Sequence, residues 1–423
     1  MNEFKENAYE TETLRHIRLK YILVIGDGMS DVALKELDYK TPLQVAHHPN
    51  MDRLTADGNC GLLKTIPSDT NPGTEVAFLS IFGYDPLRFN PGRGPMEAAG
   101  IGIELAGSDI AMRCNLVTVE NGILKDHSAG HITTDESRKI LETLREHFEK
   151  KGLIEFYPGV SYRHLLVLRG DKYQVNIRCT PPHEALNKPV SEILVTAADD
   201  KSIATADMIN QLMLSSEKIL NAHEVNRARV KSGERPGNMI WPWGQGRRPK
   251  IKTLKDIYGI SSAAISAVDI VNGIGRYLGM DIVRVHGATG YIDTNYEAKA
   301  DYALKSLERH DMVLVHVEAP DETSHVGRSD LKIKAIEDID RRLLGRIVNG
   351  LKGDYSIAVM PDHTTQTSDG SHSRNPVPFA IFSTDHREGD NIVRFDEESV
   401  KKGSLGVVEG VDFIKLLFKR VGK

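Results

Sequence analysis

Three aspartates and three histidines sit where apolar runs give way to loops, and their types and spacing suit chemistry. Asp321-Glu322-Thr323-Ser324-His325 sets a carboxylate and an imidazole four residues apart, which a helix would place on one face. Asp362-His363 closes another apolar run, His372 follows within Gly370-Ser371-His372-Ser373, and Asp27 closes the first run. Mixed carboxylate and imidazole ligands suit Zn²⁺ or Mn²⁺, and six such groups are about enough for a pair of ions. Two ions about 3.5–4 Å apart form the usual clamp for displacement at phosphorus. Singly, Asp27 reads as a helix N-cap, an isolated Asp-x-x-x-His as chance, and His372 as a surface residue. Their joint occurrence at run ends points to a dimetal centre.

The nucleophile candidate lies in Asn71-Pro72-Gly73-Thr74-Glu75. Pro-Gly, then a hydroxyl residue, then a helical pattern places Thr74 at or near a helix N-terminus. There the positive dipole end and free N–H groups favour a bound phosphate. A hydroxyl on a metal ion also becomes a usable alkoxide near neutral pH, which would make Thr74 a ligand as well. Taken alone, Thr74 reads as an N-cap; the metal set reverses that reading. Gly26-Asp27-Gly28 is not a dinucleotide fingerprint, because the third glycine is missing and an aspartate stands where a pyrophosphate would approach.

These side chains need elements that bring them together. Short β-rich runs alternate with helical patterns, which predicts an α/β fold with a mainly parallel sheet. Runs 21–25, 312–317 and 356–360 each empty into a loop carrying an acidic residue. In open α/β sheets ligands bind outside the carboxyl ends of the strands, so the three loops are expected to converge. From about 112 to 246 the chain carries its own strands and helices, including a strand near 162–168 and a helix near 205–221. The acidic loops lie before and after this block. The expected organisation is one sheet domain, 1–111 and 247–423, interrupted by a smaller inserted α+β domain, 112–246. Trp241-Pro242-Trp243-Gly244-Gln245-Gly246 reads as a loop in the returning linker, its tryptophans packing the hinge.

The composition narrows the class. Of 423 residues, 40% are apolar and 27% charged, which excludes a disordered or collagen-like chain. The net charge of −5 provides no global positive field for nucleic acid, so an anionic ligand needs a local basic cluster. Cys60, Cys114 and Cys179 lie far apart and form no C-x-x-C pair, which fits a reducing, cytoplasmic setting. The first 20 residues are polar and mixed in charge, unlike a secretory signal, and no apolar run reaches the length of a membrane span. The expectation is a monomer or small homo-oligomer acting on a small molecule.

Several long segments resemble the cofactor-independent phosphoglycerate mutases of the archaeal type, within the alkaline phosphatase superfamily. They are IGDGMSD at 25–31, NPGTEVAFLSIFGYDP at 71–86, GRGPMEAAGIGIEL at 92–105, WPWGQG at 241–246, SAVDIVNGIGRYLGM at 266–280, GATGYIDTNY at 287–296, EAPDETSHVG at 318–327 and PDHTTQTSDGSHS at 361–373. The resemblance implies an alkaline phosphatase-like fold, a mainly parallel sheet sandwiched by helices. It implies two divalent ions, Mn²⁺ or Zn²⁺ with Mg²⁺ a further candidate, and no bisphosphoglycerate. It makes Asp321, His325 and His372 the ligands of one ion, and Asp27, Asp362, His363 and the Thr74 hydroxyl those of the other. Thr74 stands where the family usually has serine, and Phe78 where archaeal members commonly have histidine. The implied reaction passes the phosphoryl group of 3-phosphoglycerate to Thr74 and returns it to the 2-hydroxyl. The inserted domain would hold the glycerate and keep water out, with Arg113, His131, Arg163, Arg178 and His183 as candidate contacts. The alternative is a related metal-dependent phosphotransferase or phosphatase, for example with homoserine kinase-like activity.

Overall fold

A computed structural model of the chain describes residues 19–150, 152–385 and 388–418. Most of the N-terminal stretch read above as unlike a secretory signal lies outside the described residues. The chain divides into two compact units, one formed by 1–90 and 251–423 and the other by 91–250.

The first unit is built on an eight-stranded sheet. Its strands, in chain order, are β1 (Lys20–Gly26), β2 (Asn59–Lys64), β3 (Ser262–Ile265), β4 (Asp281–Ile282), β5 (Met312–Val317), β6 (Tyr355–Met360), β7 (Val377–Ser383) and β8 (Gly406–Glu409). In space they run β4-β3-β5-β1-β6-β7-β2-β8. Only β7 is antiparallel to its neighbours, so the expected mainly parallel α/β sheet is what forms. The central strands are buried and mostly apolar because helices cover both faces. Ile22 and Val24 share a core with Tyr296, Ala300, Ala335 and Ile336, whereas Tyr21, on the other face, meets the ring of Phe418.

The second unit has a five-stranded antiparallel sheet in which Ile110–Glu120 pairs with Ile123–Asp126, Arg163–Leu168 and Met239–Gly246, and Ile154–Tyr157 pairs with Arg163–Leu168. Helices Thr134–Phe148 and Ile203–Asn221 pack on it; a capping box between Thr133 and Glu136 starts the first.

Two sequence expectations shift. The second unit begins near 91 rather than 112, because helix Arg93–Gly100 belongs to it: Gly94 lies so close to the Ala111 backbone that no side chain fits, and Arg113 Nη1 bonds Glu97 Oε1 at 2.8 Å. The segment read as a linker loop, Trp241 to Gly246, is instead part of strand Met239–Gly246, with Trp241 opposite Asn115 and Trp243 opposite Arg113. Proline is tolerated there because this strand pairs on one side only. Trp241 is buried in the unit's own core, so the tryptophans do not pack a hinge. No helix among the described residues is long and apolar enough to cross a membrane.

Candidate active site

Strands β5, β1 and β6 are adjacent and parallel at the sheet centre, with Gly26 in register with Val317 and Ile25 with Met360. Their carboxyl ends therefore share one edge, and the loops carrying Asp27, Asp321 and Asp362-His363 converge as expected. Gly28 is required at the crossing. Its φ is +55°, and a Cβ there would meet Thr365 Oγ1 and lie 2.6 Å from Asp321 Oδ1.

Helix Ala319–His325 follows β5, with proline in its first turn, and presents Asp321 and His325 on one face: His325 Nε2 is 3.1 Å from Asp321 Oδ2. His372 arrives through a short antiparallel pairing opposite Thr365. Its Nε2 lies 3.2 Å from His325 Nε2 and 3.3 Å from Asp321 Oδ1. The second group centres on His363 Nε2, which is 3.3 Å from Asp27 Oδ1, 3.5 Å from Asp362 Oδ2 and 3.4 Å from Thr74 Oγ1. Thr74 opens helix Thr74–Ile81, just after Gly73. The His363 and His372 rings stack at 4.1 Å between centroids, joining the two groups. All six expected Asp and His ligands and the nucleophile candidate are thus brought together.

The donor chemistry fits cations. Asp27, Asp321 and Asp362 are buried, and Asp27 Oδ1, Asp362 Oδ2 and Glu318 Oε2 make no hydrogen bond although each atom is buried. Uncompensated buried carboxylates are costly, and bound divalent ions remove that cost. Without such ions burial raises Asp27 well above the usual carboxylate range, with repulsion from Asp362, Asp321 and Glu318 adding to it. Burial likewise raises Glu318. For Asp321 burial acts upward too, but hydrogen bonds from His325 and His372 hold it well below the usual range. Among the described residues three ligand sets each close within 4.8 Å: Asp321–His363–His372, where His363 stands in place of the expected His325, Asp27–Asp362–His363, and Asp27–His316–Glu318.

Residues not anticipated from sequence complete the surroundings. His316, inside β5, places Nε2 at 3.0 Å from Asp27 Oδ2, and Lys299 Nζ donates to the His316 carbonyl at 3.0 Å. A histidine within an apolar strand was the available signal. Below the ligand loops Lys332 Nζ donates to Ser30 O, Asp31 Oδ2 and Thr365 O at 3.0, 2.8 and 2.8 Å, tying the loop after β1 to the loop after β6.

In the second unit, four of the five basic residues expected to touch substrate share a network of ring contacts. The Arg113 guanidinium lies 5.4 Å from the Trp243 ring and the His183 ring 5.5 Å from it. Arg163 sits 5.4 Å over Tyr162, whose ring is 6.4 Å from His131. His127 bridges the two sets, 6.0 Å from Tyr162 and 6.3 Å from His183, and Arg93 lies 5.9 Å from Trp243. Sequence reasoning singled out neither His127 nor Arg93; the segment GRGPMEAAGIGIEL held the signal for the latter. Burial lowers His183, and the nearby charges of Arg93 and Arg113 lower it further. Arg178 stands apart, on a two-residue strand opposite Thr196, with no described contact to this cluster. His164 is buried, with Nδ1 accepting from Gly159 N and Nε2 without a hydrogen-bond partner.

The chain is similar to known proteins over most of its length. A family model described as 2,3-bisphosphoglycerate-independent phosphoglycerate mutase matches residues 55–226. A protein of that name from Methanosarcina acetivorans is 46% identical over 95% of this chain and 100% of its own length. A probable one from Geobacter sulfurreducens is 42% identical over 95% of this chain and 100% of its own. Among solved structures, a cofactor-independent phosphoglycerate mutase from Thermoplasma acidophilum is 29% identical, covers 96% of this chain and 100% of its own, and superposes with a TM-score of 0.67.

Proposed function

The chain belongs to the 2,3-bisphosphoglycerate-independent phosphoglycerate mutases, and from that premise we propose how its own residues interconvert 3-phosphoglycerate and 2-phosphoglycerate. Thr74 Oγ1 loses its proton and attacks phosphorus as the bond to the 3-oxygen of glycerate breaks; the 3-oxygen leaves and takes up a proton, and a phosphothreonine remains. The 2-hydroxyl then loses its proton and attacks that phosphorus, the P–O bond to Thr74 breaks, and the threonine oxygen regains a proton. No bisphosphoglycerate enters, because the group leaves and returns on one side chain. The observation that carries this reading is the meeting of Thr74 Oγ1, Asp27 Oδ1 and Asp362 Oδ2 around His363 Nε2 within 3.5 Å.

Asp27, Asp362, His363 and Thr74 would hold one divalent ion, and Asp321, His325 and His372 the other. When bound, such ions favour the Thr74 alkoxide and offset phosphoryl charge. Oxygen and imidazole donors together favour Mn²⁺ or Zn²⁺ over Mg²⁺. Asp362 is oriented by Gly28 N and His363 N, which donate to Oδ1 at 3.1 and 2.9 Å and leave Oδ2 for the site. We assign Arg113, Arg163, His131 and His183, with Arg93 and His127, to recognition of the anionic substrate, which arginine forks suit. The three unpaired cysteines support a cytosolic setting.

The test is direct. Mn²⁺-loaded protein is given 3-phosphoglycerate without bisphosphoglycerate, and 2-phosphoglycerate is followed by coupling to enolase. Metal-dependent conversion is expected. Release of free phosphate in place of 2-phosphoglycerate would overturn the transfer mechanism.

A further inference from the structure

His316 is wholly buried, and both ring nitrogens are engaged. Nε2 lies 3.0 Å from Asp27 Oδ2, and Nδ1 lies 3.0 Å from Ser266 Oγ, at the end of β3. The Ser266 oxygen already accepts from Val268 N at 3.0 Å, an N–H that can only donate. Its second lone pair means that Ser266 alone does not fix the tautomer; an ion-bound Asp27 carboxylate can only accept, which would put the ring proton on Nε2, aimed at Oδ2, and leave Nδ1 to accept the serine's own proton. The ring cannot swing away, since the Phe78 ring meets it edge-on at 5.4 Å and Lys299 holds the backbone carbonyl of the same residue. Asp27 Oδ2 is thereby committed. Oδ1, without a hydrogen bond, is the oxygen that faces His363 Nε2 at 3.3 Å.

We propose that His316, oriented by Ser266, is a positioning residue that commits one oxygen of Asp27 and so presents the other to the ion shared with Asp362 and His363. The inference rests on the two-metal reading. It also accounts for Phe78, which closes the apolar side of the imidazole. The competing role for His316 is as a ligand itself: Asp27, His316 and Glu318 offer atoms within 4.8 Å of one another. The contact to Asp27 argues against it, because a ligating Nε2 would lose its hydrogen bond to Asp27 Oδ2, seen at 3.0 Å.

Mn²⁺ binding to the full chain, measured by calorimetry and by metal analysis after gel filtration, decides the matter, with melting of the metal-free protein as the check on folding. The unsubstituted chain is expected to hold two ions. His316→Leu should weaken one of them about 10–100-fold and leave the other nearly unchanged. His316→Gln, which keeps an N–H near the position of Nε2, should recover most of that loss, and Ser266→Ala should fall between. Affinity for both ions unchanged from the unsubstituted chain in His316→Leu and in Ser266→Ala would overturn the proposal. So would a third ion bound by the unsubstituted chain and lost in His316→Gln. Should His316→Leu not fold, Ser266→Ala carries the decision, with weakening of one ion expected and unchanged affinity for both overturning the proposal. An unsubstituted chain that binds no Mn²⁺ defeats the two-metal reading itself, and this shows before any variant is made.

Discussion

The carboxylate–imidazole cradle of the first unit and the arginine–imidazole cluster of the second differ in charge, in burial and in how the chain makes them. The cradle is anionic, its three aspartates and His363 are buried, and these hang from the loops after three adjacent parallel strands, so their geometry follows from the sheet register, while His325, His372 and Thr74 close it from its more open side. The cluster is cationic, rich in aromatic rings and partly exposed, and it draws on a helix, several strands and a loop. A rigid cradle suits groups that must not move during bond making, whereas a partly exposed cluster suits a ligand that comes and goes. The two should therefore fail differently: damage to the cradle should remove turnover or metal, and damage to the cluster should weaken substrate binding with the metals in place.

The largest effect that would break this contrast lies at Thr74. Thr74→Ala is expected to lower kcat by about 10⁴-fold or more, with Mn²⁺ affinity reduced far less and the fold intact. Thr74→Ser should stay active. An active alanine variant in the enolase-coupled assay would remove the nucleophile from the cradle altogether. Next is the support beneath it. Lys332 and Asp31 are both inaccessible to solvent, so Lys332→Met leaves a buried carboxylate unpaired. It should cost about 3–5 kcal/mol of stability in denaturant unfolding. A cost under about 1 kcal/mol would show that the ligand loops do not depend on this tie.

The same contrast explains what could be read in advance. Asp27, Asp321 and Asp362-His363 were legible because an apolar parallel strand announces its own end, and the site of an α/β sheet lies at those ends. The spacing of Asp321 and His325 was legible because a helix repeats every four residues, and helix Ala319–His325 forms there. His316 was not legible: one polar residue in a buried strand looks like core until its tertiary partner, Asp27, is known. Trp243 was misplaced for the opposite reason, since proline and glycine around it suggest a loop although the segment pairs with the strand carrying Arg113. The contacts among His127, Tyr162, His183 and Trp243 join four separate stretches of sequence, which no local pattern encodes.

A change in the cluster should sharpen the comparison by its selectivity. Arg163 is exposed and lies over Tyr162, so Arg163→Ala removes a charge without stranding a buried partner. If it contacts the anionic substrate, KM should rise about 10–100-fold, the worth of one charge-assisted contact, with kcat and Mn²⁺ affinity almost unchanged. An unchanged KM would take Arg163 out of the recognition set.

The smallest effect tests how the cluster's loop is held. Ala129, Gly130 and His131 all have positive φ, between 52° and 61°, a costly run for two non-glycine residues. Asp126 supports it, accepting from Ser128 N and Oγ at 2.7 Å each and from Gly130 N at 3.2 Å, and it pairs with Arg235 at 2.8 Å. Burial alone would raise this carboxyl, but the bonds from Ser128 and Arg235 bring it down to about 2. A carboxyl lowered by folding stabilises the folded chain above its unfolded value, near 4, and that contribution disappears as pH falls through the folded value. Asp126→Asn should therefore cost about 1 kcal/mol near neutral pH, a figure reduced for its partial exposure. The difference from the unsubstituted chain should shrink between about pH 4 and pH 2 in denaturant unfolding followed against pH. A difference that persists unchanged at pH 2 would mean that shape, not charge, holds the turn carrying His131.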